Sequence, residues 1–273
     1  MSRIEGRFRQ LKEAGKTALI PYLVAGDPSI EFTVPAMHAL VAAGADILEL
    51  GVPFSDPMAE GPVIQLAHER ALANKVSLRT ALAMVREFRL TDQNTPVLLM
   101  GYANPVMHMG FATFADAASD AGLDGLLTVD IPPEEVKELN VELQRVGIDN
   151  IFLIAPTTPD SRIGLITGQA SGFIYYVALK GVTGAGNLDA QDVSRQVGII
   201  REHTDLPIAV GFGIKDAVSA AAVASAADGV VVGSALVQSV VDVVSGGGSV
   251  SAAIEAASSL VANIRQGIAG TAS

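Results

Sequence analysis

Two acids eleven residues apart mark where this chain can do chemistry. In LELGVPFSDPMAEGP (48–62), Glu49 ends an apolar run, where a buried strand should finish, and Glu60 stands in a loop rich in Pro and Gly. An acid beside a core is costly to place, so a chain that places one there has a use for it. Two carboxyl groups facing one pocket can divide proton donation and proton acceptance between them. Other polar groups sit near the ends of apolar runs: Tyr102 with Asn104 beyond it, Asp130, and the pair Tyr175 and Tyr176. Packing is the commoner role for such tyrosines, and loop acids such as Asp56 commonly cap helices or face water. The four histidines (His38, His68, His108, His203) show no ligand spacing and read as structural or exposed.

Positioning these groups requires a regular scaffold. Apolar runs recur at 18–25, 45–50, 96–102, 125–130, 150–155, 173–179, 207–212 and 229–235, most of them near-continuous, as strands buried on both faces should be. Helix-like segments lie between most of them, at 34–45 and 114–123 for example. Segment 132–147 opens with Pro and acids and closes at a Gly, which predicts another helix. Eight strands alternating with helices imply an α/β fold with a parallel sheet, and eight strands close a (β/α)8 TIM barrel; an open doubly wound sheet is the second choice. No linker divides residues 1–273, so one domain is expected. The glycines at 246–248 read as a loop before a last helix, and 268–273 as a frayed tail.

In such a barrel the active site forms at the C-terminal ends of the strands. Ile47 and Glu49 share one strand face, because side chains alternate. The last three strands lead into Gly-rich turns, GVTGAG (181–186), GFGI (211–214) and GSAL (233–236). Glycines let a backbone approach a ligand and expose its N–H groups, and turns after strands 7 and 8 form the phosphate site common to these barrels. Ser234 adds a hydroxyl donor. A phosphate-bearing small molecule, two acids and no cofactor motif point to proton-transfer chemistry: an isomerisation, or the making or breaking of a carbon–carbon bond.

Composition narrows the field. The chain of 273 residues carries a formal net charge of −11 and is 49% hydrophobic, with no Trp. Its acidic balance argues against a nucleic-acid or anionic-membrane surface. Without Cys it has no disulfide and no thiolate chemistry. The charged, amphipathic start lacks the apolar segment of a secretory signal, and no apolar run is long enough to span a membrane, so a cytoplasmic protein is expected.

At these residues the chain resembles the alpha subunit family of tryptophan synthase. The likeness runs through PYLVAGDPS (21–29), ELGVPFSDPMAEGP (49–62), GYANP (101–105), VDIPPEE (129–135), YYVALKGVTGA (175–185), VGFGI (210–214) and VGSAL (232–236). It implies a retro-aldol cleavage of indole-3-glycerol phosphate into indole and glyceraldehyde 3-phosphate, with no metal and no cofactor on this subunit. It also implies Glu49 as general acid and base, Glu60 as the second carboxylate at the indole N–H, and Tyr175 beside Glu49. Tyr22, Met100, Tyr102, Leu127, Ile154, Thr183 and Phe212 would line the indole pocket, Thr183 from a loop that closes over substrate. Gly184, Gly213, Gly233 and Ser234 would hold the phosphate. The implied partner is a beta subunit carrying pyridoxal phosphate, in an α2β2 complex, docked near Pro53, Asp56 and Pro132.

Two positions depart from the family pattern. Glu60 stands where the family has Asp, and Ala178 where it commonly has Ser. An added methylene moves a carboxylate by roughly 1 Å, a displacement that can cost on the order of a hundredfold in rate. These departures leave open an alternative, a weakly active or regulatory alpha subunit that mainly activates its beta partner. A stand-alone lyase and another phosphate-binding barrel isomerase are further alternatives.

Overall fold

The computed structural model describes residues 2–178, 190–211 and 213–269. Its elements run α1 (Arg3–Glu13), β1 (Ala18–Val24), α2 (Ile30–Ala42), β2 (Leu48–Gly51), α3 (Pro62–Ala73), α4 (Leu78–Phe88), β3 (Val97–Gly101), α5 (Ala103–Met109), α6 (Phe111–Ala121) and β4 (Gly125–Thr128). They continue α7 (Lys137–Val146), β5 (Asp149–Ile154), α8 (Asp160–Thr167), β6 (Ile174–Val177), α9 (Ala190–Arg201), β7 (Ile208–Gly211), α10 (Ala217–Ala224), β8 (Gly229–Val232), α11 (Ser234–Ser245) and α12 (Val250–Ala269). Among the described residues the strands form one closed parallel barrel in sequence order, β8 pairing back onto β1. The barrel is the expected fold, and the open sheet is excluded.

Alternation along each strand divides the core. Ile20, Ile47, Leu98, Leu127, Ile151 and Val231 fill the barrel interior, and α1 closes its lower end with Ile4, Phe8 and Leu11. Leu19, Leu48, Leu99, Leu126, Phe152 and Val230 face the other way, among residues of the surrounding helices. Both faces are therefore apolar, which is why the strands read as unbroken hydrophobic runs.

Aspartates tie the lower rim. Asp46, Asp124 and Asp228 each precede a strand and accept the N–H of the neighbouring one: Leu19 N–H at 2.9 Å, Val97 N–H at 2.8 Å and Ile208 N–H at 2.9 Å. Asp124 also takes Arg89 at 2.6 Å and Arg3 at 2.7 Å, while Asp46 pairs with Arg265.

Several element ends differ from expectation. α2 starts at Ile30 rather than 34 and so contains Pro35. α7 starts only at Lys137, after a turn at residues 133–135, and it stops as expected at Gly147 in the left-handed region, φ +74°. The glycine loop before α12 is as expected, but residues 268 and 269 are helical and Ile268 is buried, so the frayed stretch expected there begins too early; residues 270–273 lie outside the described residues.

Candidate active site

Glu49 stands on β2 between Tyr22 of β1 and Leu98 of β3 in strict register, one interior position above Ile47. It is 2% exposed, and neither carboxyl oxygen has a hydrogen-bond partner. This is the reverse of the lower-rim aspartates, each of which is bound by amide and guanidinium donors. Burial, then the neighbouring Glu60 carboxylate, pushes the Glu49 pKa up to about 8. Burial alone raises Glu60 to about 7. Glu49 can therefore hold a proton at neutral pH while Glu60 begins to lose one, and each ionisation opposes the other.

The two acids open into one cavity of about 180 Å³ that Tyr22, Met100, Tyr175, Gly213, Gly233 and Ser234 also line. Burial and the facing carboxylates hold the Tyr22 and Tyr175 phenols well above their ordinary pKa, so both remain protonated donors. Glycine turns bring backbone to the same cavity. Gly213 has φ +76°, in the region that favours glycine. Helix α11 starts at Ser234 with no side chain capping its first amides, and Gly233, Ser234 and Ala235 border the cavity. An uncapped helix N-terminus is a ready anion site. The cavity thus has an acidic end suited to moving protons and an amide end suited to a phosphate.

The sequence model of the family described as tryptophan synthase alpha chain matches residues 8–266. This chain belongs to that family. A tryptophan synthase alpha chain from Thioalkalivibrio sulfidiphilus is 61% identical over 242 residues, 89% of this chain and 91% of the relative. One from Ralstonia nicotianae is 53% identical over 268 residues, 98% of this chain and 99% of the relative. The crystal structure of tryptophan synthase subunit alpha from Legionella pneumophila superposes with a TM-score of 0.91 at 44% identity, covering 99% of each chain. Tryptophan synthase from M. tuberculosis in its aminoacrylate-bound form gives 0.86 at 33% identity, covering 98% of this chain and 100% of the other.

Set beside the residues that family resemblance singles out, the geometry is selective. Glu49, Glu60, Tyr22, Met100, Tyr175, Gly213, Gly233 and Ser234 meet at the cavity. Tyr102 does not line it: its hydroxyl accepts the Ala59 N–H at 3.0 Å and its ring stacks on Phe54 at 4.9 Å, so it braces the Glu60 loop. Leu127 is fully buried beside Met100 in the barrel interior and does not reach the cavity. Ile154 faces the helix layer, and Leu153 is the neighbour packed on the interior. A slip of one residue along a strand reverses the face, which is how Ile154 was misplaced. Thr183, Gly184 and Phe212 lie outside the described residues. Of the residues expected at the docking surface, Asp56 is exposed and Pro132 half-buried, whereas Pro53 is buried; Met58, two residues after Asp56, is 83% exposed.

Sequence reasoning missed Ile64, Ile214, Lys215, Val231 and Ala235 on the cavity wall. Among the described residues Lys215 is the one cation lining it, and its place just after the GFG turn was the available signal. Asp130 is structural, accepting the Ala103 N–H at 2.7 Å at the start of α5. Among the described residues no cluster of three His, Cys, Asp or Glu side chains is arranged to hold a metal, and no helix is long and apolar enough to cross a membrane.

Proposed function

We propose that the chain cleaves indole-3-glycerol phosphate to indole and glyceraldehyde 3-phosphate as the alpha subunit of tryptophan synthase. The supporting observation is the single cavity that joins two raised-pKa carboxyls to an uncapped helix N-terminus, in a chain of this family. The substrate phosphate binds the amides of Gly213, Gly233 and Ser234, and the indole ring lies between Tyr22, Met100 and Tyr175. Protonated Glu49 gives its proton to indole C3. That turns the ring into an electron sink, while the Glu60 carboxylate accepts the indole N–H and offsets the developing positive charge. The bond from C3 to the glycerol carbon then breaks, and its electrons return to the ring. The hydroxyl proton on that carbon passes to the Glu49 carboxylate as the aldehyde forms. Glu49 regains its proton, and no cofactor is consumed.

Tryptophan synthase alpha chains work with a beta subunit, and an α2β2 assembly with pyridoxal phosphate on beta extends this reading, as does a cytoplasmic location. Exposed Met58 and Asp56, on the loop that carries Glu60, suit a docking surface coupled to the site. The test is indole release from indole-3-glycerol phosphate by the purified chain, with and without a cognate beta subunit. Slow release that beta accelerates supports the reading. No release in either condition rejects it, and activation of beta alone would then leave a regulatory subunit.

A further inference from the structure

Of the four histidines only His68 is buried, at 2% exposure. It shares the inward stripe of α3 with Ile64, Ala67 and Ala71, where a plain core helix would carry another apolar side chain. Both of its ring nitrogens are engaged. Nδ1 accepts the Phe54 N–H at 3.0 Å, which leaves the proton of a neutral ring on Nε2. Nε2 lies 3.4 Å from the Tyr22 hydroxyl, a long contact in which the ring donates and the phenol oxygen accepts. The phenol proton is then free to point into the cavity, toward the acids. Burial drops the His68 pKa to about 4, so the ring is neutral near pH 7.

The loop that ends in Glu60 is thus pinned twice, at Phe54 by His68 and at Ala59 by the Tyr102 hydroxyl. We propose that His68 is a positioning residue for the cleavage: one ring latches the loop presenting Glu60 and turns the Tyr22 hydroxyl toward the two carboxyl groups. The inference rests on the function proposed above and adds to it a residue that touches no substrate.

Three variants separate the two contacts. His68→Asn keeps an acceptor where Nδ1 stands but falls short of Tyr22. His68→Gln keeps a donor at the reach of Nε2 but loses the acceptor. His68→Leu loses both. The readouts are amide hydrogen exchange at Phe54 and steady-state cleavage of indole-3-glycerol phosphate, both on the chain with its cognate beta subunit. Expected is faster Phe54 exchange in Leu and Gln but not in Asn. His68→Leu should lose roughly ten- to a hundredfold in kcat with little change in KM, a loss of the size a small misplacement causes. Asn should recover most of it. Wild-type kcat and exchange in all three variants overturn the proposal, and so does an equal loss in all three, which marks plain core packing. If the Leu variant does not fold, the contrast between Asn and Gln decides alone. If the wild-type chain releases no indole, the proposed function has failed, and the exchange pattern still decides whether His68 is the latch.

Discussion

The Tyr22 hydroxyl occupies the space into which a side chain at Gly51 would project. β1 and β2 run in register with Tyr22 beside Glu49, so the phenol reaches over the end of β2 only because residue 51 has no Cβ. Tyr175 lies over Gly211 at the end of β7 in the same way. Gly51→Ala is expected to displace the Tyr22 ring, cost about 1–3 kcal/mol by overpacking, and lower turnover more than ten times. Chemical denaturation and steady-state kinetics measure the two effects; a variant with wild-type turnover would mean that the ring has no part in aligning the site.

Glu49→Gln keeps the shape and removes the proposed proton relay. Turnover should fall by at least a thousandfold while KM changes little, because the lost interaction belongs to the transition state. The same residue sets a pH signature. In the unfolded chain Glu49 ionises near 4.5, and in the fold it keeps its proton to about 8. Between those values the folded state binds more protons, so its contribution to stability is complete below about pH 4.5 and fades as pH rises toward 8. Glu49→Gln should therefore raise Tm relative to wild type at pH 8 and leave it nearly unchanged at pH 4. A Tm difference independent of pH would show that Glu49 does not titrate in this window.

Glu60→Asp introduces the residue that the family resemblance implies here but shortens the arm. Phe54 and Ala59 are pinned, so the backbone cannot readily follow, and turnover should drop by about tenfold. Unchanged kcat would show a loop free to adjust, and a gain would favour the view that Glu60 weakens the lyase.

Lys215 lines the cavity with Gly213, Gly233 and Ser234, the residues proposed to hold the phosphate. Its ammonium should attract bound substrate and transition state alike, which affects KM rather than kcat. Being exposed, it should be worth little: Lys215→Ala is expected to raise KM by roughly two- to fivefold, less at high salt. A change confined to kcat would place this side chain in the chemistry instead.

At the lower rim Asp124 receives Arg89, Arg3 and the Val97 N–H in a buried position. Asp124→Ala strands the Arg89 charge and should cost about 3–5 kcal/mol. Turnover of the folded fraction should stay within about twofold, since this end of the barrel supports stability and not catalysis. Urea unfolding together with active-site titration separates the two quantities.

Strand number, barrel class and the Glu49–Glu60 motif were legible because they depend on local pattern. Continuous apolar runs mark strands buried on both faces, and glycine turns mark where a backbone must bend toward a ligand. Patterning left open which side chains share a space. It could not separate Ile154 from Leu153, because both are apolar and only strand register says which one faces inward. Tyr102 passed for a pocket residue, although its hydroxyl is spent on the Ala59 amide. His68 read, like the other histidines, as structural or exposed, because its partners Tyr22 and Phe54 lie 46 and 14 residues away and meet it only once the barrel closes. Acids were as ambiguous. Asp46, Asp124, Asp228 and Glu49 all lie beside apolar strands, yet the first three are satisfied by amide and arginine donors while Glu49 has none. The difference between an acid held as a carboxylate and one whose pKa is raised is the set of donors around it, and the tertiary structure alone decides that set.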